Sequence, residues 1–166
     1  MSRRGLVLVA LLTAGVAAVL VVQAFRHVPT DEEQIRTLFE DAARAAEEKR
    51  VGDAVQGVSE RFVGDGLDKR GVKQLVAAHV FRGTWVGVTI SGIKVEVQGD
   101  EARAAVDAVL YRSGKGQPLA DLLPAQASVH RFLCRLAREE GAWRIMTATW
   151  RPISLEEAAA GPELSP

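Results

Sequence analysis

Alternating apolar and polar residues, joined by tight turns, constrain this chain more than any other feature. Val86, Val88 and Ile90, then Ile93, Val95 and Val97, alternate with polar neighbours, and a bulge is expected near Ser91-Gly92. In "QGDE" (residues 98–101), Gly99-Asp100 reads as a two-residue hairpin turn, and residues 102–111 return as a second strand. "WRIMTATW" (residues 143–150) alternates in the same way. This period of two belongs to strands, so the second half of the chain is expected to be an antiparallel meander.

Between these runs, "SVHRFLCRLAREEG" (residues 128–141) is ambiguous by itself. Val129, Phe132, Leu133 and Leu136 fit a helix, whereas His130, Phe132, Cys134 and Leu136 fit one face of a strand. Context favours the strand, because "REEGAW" makes a hairpin and the strand after it needs a partner for its backbone groups. The choice matters for chemistry. Residues four apart lie about 5–6 Å apart on a helix face, but roughly 13 Å apart along a strand. His130 and Cys134 are therefore not expected to act as a pair.

The first half is helical. Thr30 and Glu33 form a capping box, acids fill the first turn, and Ile35, Leu38, Phe39, Ala42, Ala43 and Ala46 recur at helical spacing. A weaker turn of helix holds Val51, Val55 and Val58. Asp68 caps a third helix carrying Val72, Leu75, Val76, His79 and Val80. Residues 113–126 read as a loop with two glycines and two prolines, and residues 154–166 as a flexible tail with one helical turn.

Ahead of the helices, Arg3 and Arg4 precede an apolar run over residues 5–22 whose single polar member is Thr13. Its length approaches the roughly 20 residues that cross a bilayer as a helix. Positive charge before it and Asp31, Glu32 and Glu33 after it orient the bulk of the chain outward. A run of this length exceeds the usual signal-peptide core and favours a retained anchor; removal of residues 1–24 as a signal peptide is the alternative. Either reading exports the domain. With 16 arginines to 5 lysines, a composition associated with bacterial genomes of high GC content, the expected place is the bacterial inner membrane. The domain would be single-pass, periplasmic or extracytoplasmic, and secreted if the leader is cleaved.

Charge and composition narrow the classes further. The formal net charge is zero and no basic cluster tracks phosphates, so nucleic acid is not an expected partner. Apolar content of 48% with 25% charged residues is that of a globular chain. One cysteine excludes an intramolecular disulfide. Three scattered histidines and that cysteine have no zinc spacing, and phosphate-loop, nucleotide and nucleophile-elbow motifs are missing from the sequence. No metal, cofactor or catalytic set is expected.

Three helices followed by two hairpins of long strands, ending in "GAWRIMTATWRP", resemble the nuclear transport factor 2-like superfamily over roughly residues 31–152. That resemblance implies an α+β fold, a cone of three helices packed on a curved antiparallel sheet and enclosing a pocket. The expected organisation is residues 1–28 as anchor or signal, 29–153 as the cone and 154–166 as the tail. The superfamily includes ketosteroid isomerase, scytalone dehydratase and polyketide cyclases, and also non-enzymatic, membrane-anchored modules that assemble secretion machinery. Fold alone leaves the function open.

A register argument sorts the sheet faces. With Gly99-Asp100 as the turn, Glu96 faces Arg103 and Lys94 lies diagonal to Asp107; pairing Asp107 with Arg135 then sets Arg103 beside Glu139. This face collects Lys94, Glu96, Arg103, Asp107, Arg131 and Arg135, and Asp107 reads as a surface ion pair. The other, concave face collects Leu110, His130, Phe132, Cys134 and Leu136, and the same register sends Trp143, Ile145, Thr147 and Thr149 inward. Met146, Ala148 and Trp150 are expected outward beside Leu133, Val109 and Tyr111, an apolar patch that invites a partner.

The expected ligand-lining residues are thus His130, Phe132, Leu110, Thr147 and Thr149, and the expected interface residues are Tyr111, Leu133, Met146 and Trp150. His130 reads as a pocket-wall histidine, Cys134 as a buried inert thiol, His79 as a helix-terminal charge and His27 as an interfacial residue. The leading reading is an exported, membrane-anchored, non-catalytic interaction or assembly module, a homodimer or a protein's partner. Small-molecule binding in the cone is second. An isomerase or dehydratase relying on His130 is third, because no orienting carboxylate shares its face.

Overall fold

Both two-residue turns form where the sequence places them. Gly99 takes φ +60°, and Glu140 and Gly141 take φ +51° and +81°, the left-handed values that match a tight hairpin to the strand twist. A computed structural model describes residues 28–81, 87–111 and 127–164, and residues 31–166 make one compact unit. Helices α1 (Asp31–Glu47), α2 (Val51–Ala54) and α3 (Lys69–Phe81) precede strands β1 (Gly87–Gln98), β2 (Glu101–Tyr111), β3 (Ala127–Glu139) and β4 (Ala142–Ile153), and a short α4 (Leu155–Ala159) follows. The strands pair antiparallel in chain order. Helices on a curved four-stranded antiparallel sheet give the expected α+β cone. The ambiguous segment around His130 is strand β3.

Helix α1 forms because apolar residues recur along one face while acids occupy its first turn. Ile35 is wholly buried, and Leu38 and Phe39 pack beside it against Val106, Leu136, Trp143 and Phe62. Asp31 pairs with Arg138 and accepts a 3.3 Å hydrogen bond from Trp143 Nε1, tying the start of α1 to the β3–β4 hairpin. The Arg138 hydrogen bond holds the Asp31 carboxyl below its usual pKa.

The β1–β2 register is the expected one: Glu96 lies opposite Arg103, and the ladder shifts between Ile90 and Gly92. The β2–β3 register differs. Asp107 lies opposite Arg131, and Arg103 opposite Arg135. Two strands joined by a long connection have no turn to pin their register, so the pairing is set by burial and not by the linking sequence. Glu139, expected beside Arg103, instead accepts hydrogen bonds from Ser59 Oγ at 3.0 Å and Arg61 Nη2 at 2.6 Å.

A second correction comes from β4. The ladder pairs Arg135 with Thr147 but Leu136 with Ile145, which leaves Met146 as a bulge. The cause is on the edge of the sheet. Residues 57–63 run along β4: Ser59 N–H donates to Ile145 O, Ile145 N–H to Gly57 O, and Val63 N–H to Met146 O. One inserted residue exchanges the faces of everything beyond it. Trp143 and Ile145 stay inward as expected, but Thr147 and Thr149 turn outward, while Ala148 and Trp150 turn inward opposite Cys134 and Phe132.

Residues 154–164 hold the one helical turn expected of the tail, but they are seated on the sheet and do not hang free. Ser154 accepts a 3.0 Å hydrogen bond from Glu157 N–H and starts α4, which continues across the outer sheet face. Among the described residues, no helix is long and apolar enough to cross a membrane; the apolar run of residues 5–22 lies outside them.

The edge pairing leaves no room at Gly64, where an added Cβ would fall against the Ala148 carbonyl oxygen and the Phe62 ring. Gly64→Ala is expected to cost about 1–3 kcal/mol by overpacking. Urea unfolding should show a lower midpoint with an unchanged slope; an unchanged midpoint would show that this segment does not pack as described.

Candidate functional site

Asp107 and Arg131 face one another from β2 and β3 as the central pair of a row that crosses all four strands. Register alone aligns Gly92, Asp107, Arg131 and Arg151 on the outer face. Arg131 grips the carboxylate with both prongs, Nε to Oδ1 at 2.7 Å and Nη2 to Oδ2 at 2.8 Å. The Asp107 side chain is 0% exposed and that of Arg131 8%. The expected surface ion pair is therefore a buried one, with Arg131 in place of Arg135.

The C-terminal segment supplies the cover. Arg131 Nη2 also donates to the carbonyls of Glu157 and Gly161, at 3.3 and 3.0 Å. The Glu157 carboxylate sits between Arg151 and Arg131, the latter at 3.4 Å, and is held below its usual pKa chiefly by the Arg151 hydrogen bond. Beyond α4, Gly161 takes φ +86° and Pro162 comes down on Gly92. The "SLEE" stretch is a capping signal, in keeping with the one helical turn expected of the tail. Nothing in the local sequence announced what the helix covers.

Beside this cover, a groove of about 230 Å³ is lined by Arg131, Leu133, Thr149, Trp150 and Arg151. Thr149, expected to line the inner pocket, is exposed on this outer wall, and Thr147 shares its face opposite Arg135. Of the four expected interface residues, Leu133, half-buried opposite Thr149, and Tyr111, opposite Gly87, keep the outward register of Asp107. Tyr111 reaches back to donate to Glu47 Oε1 at 3.5 Å, with its ring over Gly87. Met146 is the bulge. Trp150 packs on Phe132, ring centroids 6.3 Å apart.

The inner face brings together His130, Phe132 and Leu110, joined by Trp150 in place of the two threonines. His130 is half-buried, and His79 approaches it from the last turn of α3. Burial first, and then the His79 charge, push the His130 pKa below 6.5. Cys134 lies deep in the core, where burial pushes its thiol to about 12; it is inert as a nucleophile at neutral pH. Among the described residues, no group of three or more His, Cys, Asp or Glu side chains is placed to hold a metal ion.

This geometry is shared with known structures. One is an NTF2-like protein with a cystatin-like fold from Novosphingobium aromaticivorans, 18% identical, covering 89% of this chain and 94% of that one at a TM-score of 0.59. The fold is that of the nuclear transport factor 2-like proteins. A second neighbour with this fold is a candidate calcium/calmodulin dependent protein kinase II association domain from Xanthomonas campestris, 12% identical over 76% of this chain and 90% of that one, TM-score 0.58. Bd1075 of Bdellovibrio bacteriovorus is 10% identical over 73% of this chain, TM-score 0.55, and this chain spans 40% of its length. No protein-family model and no curated protein matches the sequence.

Two measurements check the site. Arg131→Met leaves Asp107 buried without its cation, at an expected cost of about 3–5 kcal/mol, much of which a companion Asp107→Leu should restore. Equal stability of Arg131→Met and the parent would show the pair to be solvated. For His130, the unfolded chain binds its proton first as pH falls, so stability is lost from about the usual histidine pKa down through the folded value. An NMR titration should place the His130 midpoint below 6.5, and His79→Gln should move it upward.

Proposed function

We infer that this chain is an exported, non-catalytic assembly module that associates with a second copy of itself through the outer face of its sheet. Residues 5–22 would anchor it in the bacterial inner membrane and hold the nuclear transport factor 2-like domain on the far side. The observation that carries the reading is the outer-face groove, where half-buried Leu133 and exposed Thr149 lie between Arg131, Arg151 and Trp150. The wiring of the titratable groups supports it. Asp107 is spent on Arg131, Cys134 is inert, and neither of the influences on His130 is a carboxylate that would orient a general base. The fold neighbour named for an association domain is consistent with this use of the scaffold.

A second reading has its own observation. His79 and His130 converge on the inner face near Leu110 and Phe132, which suits a small ligand with one polar group. Isomerase or dehydratase chemistry would rest on His130 alone.

Light scattering of the full-length chain in detergent micelles separates the two readings. A dimer is expected, and Leu133→Asp should weaken it by roughly tenfold or more, since a charge at a closed apolar contact costs several kcal/mol. A monomeric parent chain would overturn the assembly reading and turn attention to His130.

A further inference from the structure

The C-terminal segment crosses the outer sheet face over the row Gly92–Asp107–Arg131–Arg151, yet little of it is buried. No residue of α4 is buried, and Leu155 is 56% exposed. Five residues cannot hold a helix by themselves. What seats this segment is mainly polar: Arg131 on the carbonyls of Glu157 and Gly161, and Arg151 and Arg131 on the Glu157 carboxylate; one apolar contact adds to it, Pro162 against Gly92, where a Cβ would stand 2.8 Å from Pro162 Cδ. Beneath it the situation is reversed. Ala105, Asp107 and Val109 of β2 are closed off from solvent, and the Asp107–Arg131 pair is complete without Glu157.

A cover fixed by charge over a sheet that is fixed by packing has two separate stabilities. We propose that residues 154–162 form a latch over the outer sheet face, held shut by Glu157, which opens while the cone stays folded and so bares the Asp107–Arg131 row. The latch closes by a charge count: seated, the C-terminal segment brings Glu157, and as a weaker influence on Arg131 also Glu163, to two arginines that otherwise have only Asp107. Opening therefore leaves a net positive, newly exposed strip beside the Leu133–Thr149 groove. Because Arg151 and Glu157 are partly exposed, the closing force is screened by salt, whereas the buried pair beneath is not. On the assembly reading, on which this clause rests, the latch sets how much of the outer face a second copy can reach.

Hydrogen exchange of the full-length chain in detergent micelles, followed by mass spectrometry at low and high salt, tests this. The reporters are four amides whose bonds lie within the latch: those of Glu157, Ala158, Ala160 and Gly161. They should exchange faster than the amides of β2 and β3, and faster still in salt. Glu157→Gln should speed them by roughly tenfold or more and remove most of the salt effect, leaving β2 and β3 unchanged. Gly92→Ala, which pushes on Pro162 without altering charge, should loosen the same amides and keep the salt effect. Latch amides that exchange as slowly as the strands in the parent and in both variants would overturn the proposal. So would a Glu157→Gln latch as protected as the parent's. Light scattering on the same samples separates the two readings: a loosened latch with unaltered self-association keeps the latch and overturns the outer face as the assembly surface.

Discussion

A carboxylate with no exposed surface must be neutralised where it lies, and Asp107 meets that demand with a two-pronged grip from Arg131. The consequences spread outward from this pair. It ties β2 to β3 in one register, although residues 112–126 separate them in the chain. It places a guanidinium with donors to spare at the middle of the sheet, and those donors find the carbonyls of Glu157 and Gly161. The end of the chain is thereby drawn over the outer face, and Gly92 gives it room to lie there.

The second organising feature is the bulge at Met146. Residues 57–63 hydrogen-bond along the edge of β4, and this pairing and the β3 ladder cannot both be met by an unbroken strand. The extra residue reconciles them, and it exchanges faces for the rest of β4. Trp150 thereby joins Phe132 on the inner wall, and two threonines are delivered to the outer one. A single inserted residue thus decides which surface is aromatic and which is hydroxylated.

These two features divide the chemistry of the domain. The outer face holds its charges in closed pairs under a strap and leaves a shallow groove beside it. The inner face holds an apolar core and, toward the end of α3, His79, which together with burial disfavours charge on His130. Neither face assembles a nucleophile, a base and an orienting acid among the described residues, so what the surfaces can recognise carries more of the functional argument than what they can transform.

The elements themselves were legible in the sequence because they depend on neighbours along the chain. Periods of 3.6 and two, a capping acid in α1, and glycines at both hairpin turns are local facts, and α1, α3, the two hairpins, the bulge near Gly92 and the Glu96–Arg103 pair all followed from them. That His130, Phe132 and Cys134 share a face followed from alternation once the segment was read as a strand, and their inward placement, with that of Trp143, from the register carried across the hairpins. The remainder required contacts between residues far apart in the chain. The choice of Arg131 over Arg135 as the partner of Asp107 turns on which pairing buries the carboxylate under a segment some 50 residues later. The faces of Thr147, Thr149 and Trp150 turn on a bulge whose cause lies in residues 57–63. Local sequence determines which way each residue points relative to the next; only the folded sheet, with its edges and faces covered, decides which way the whole strand points.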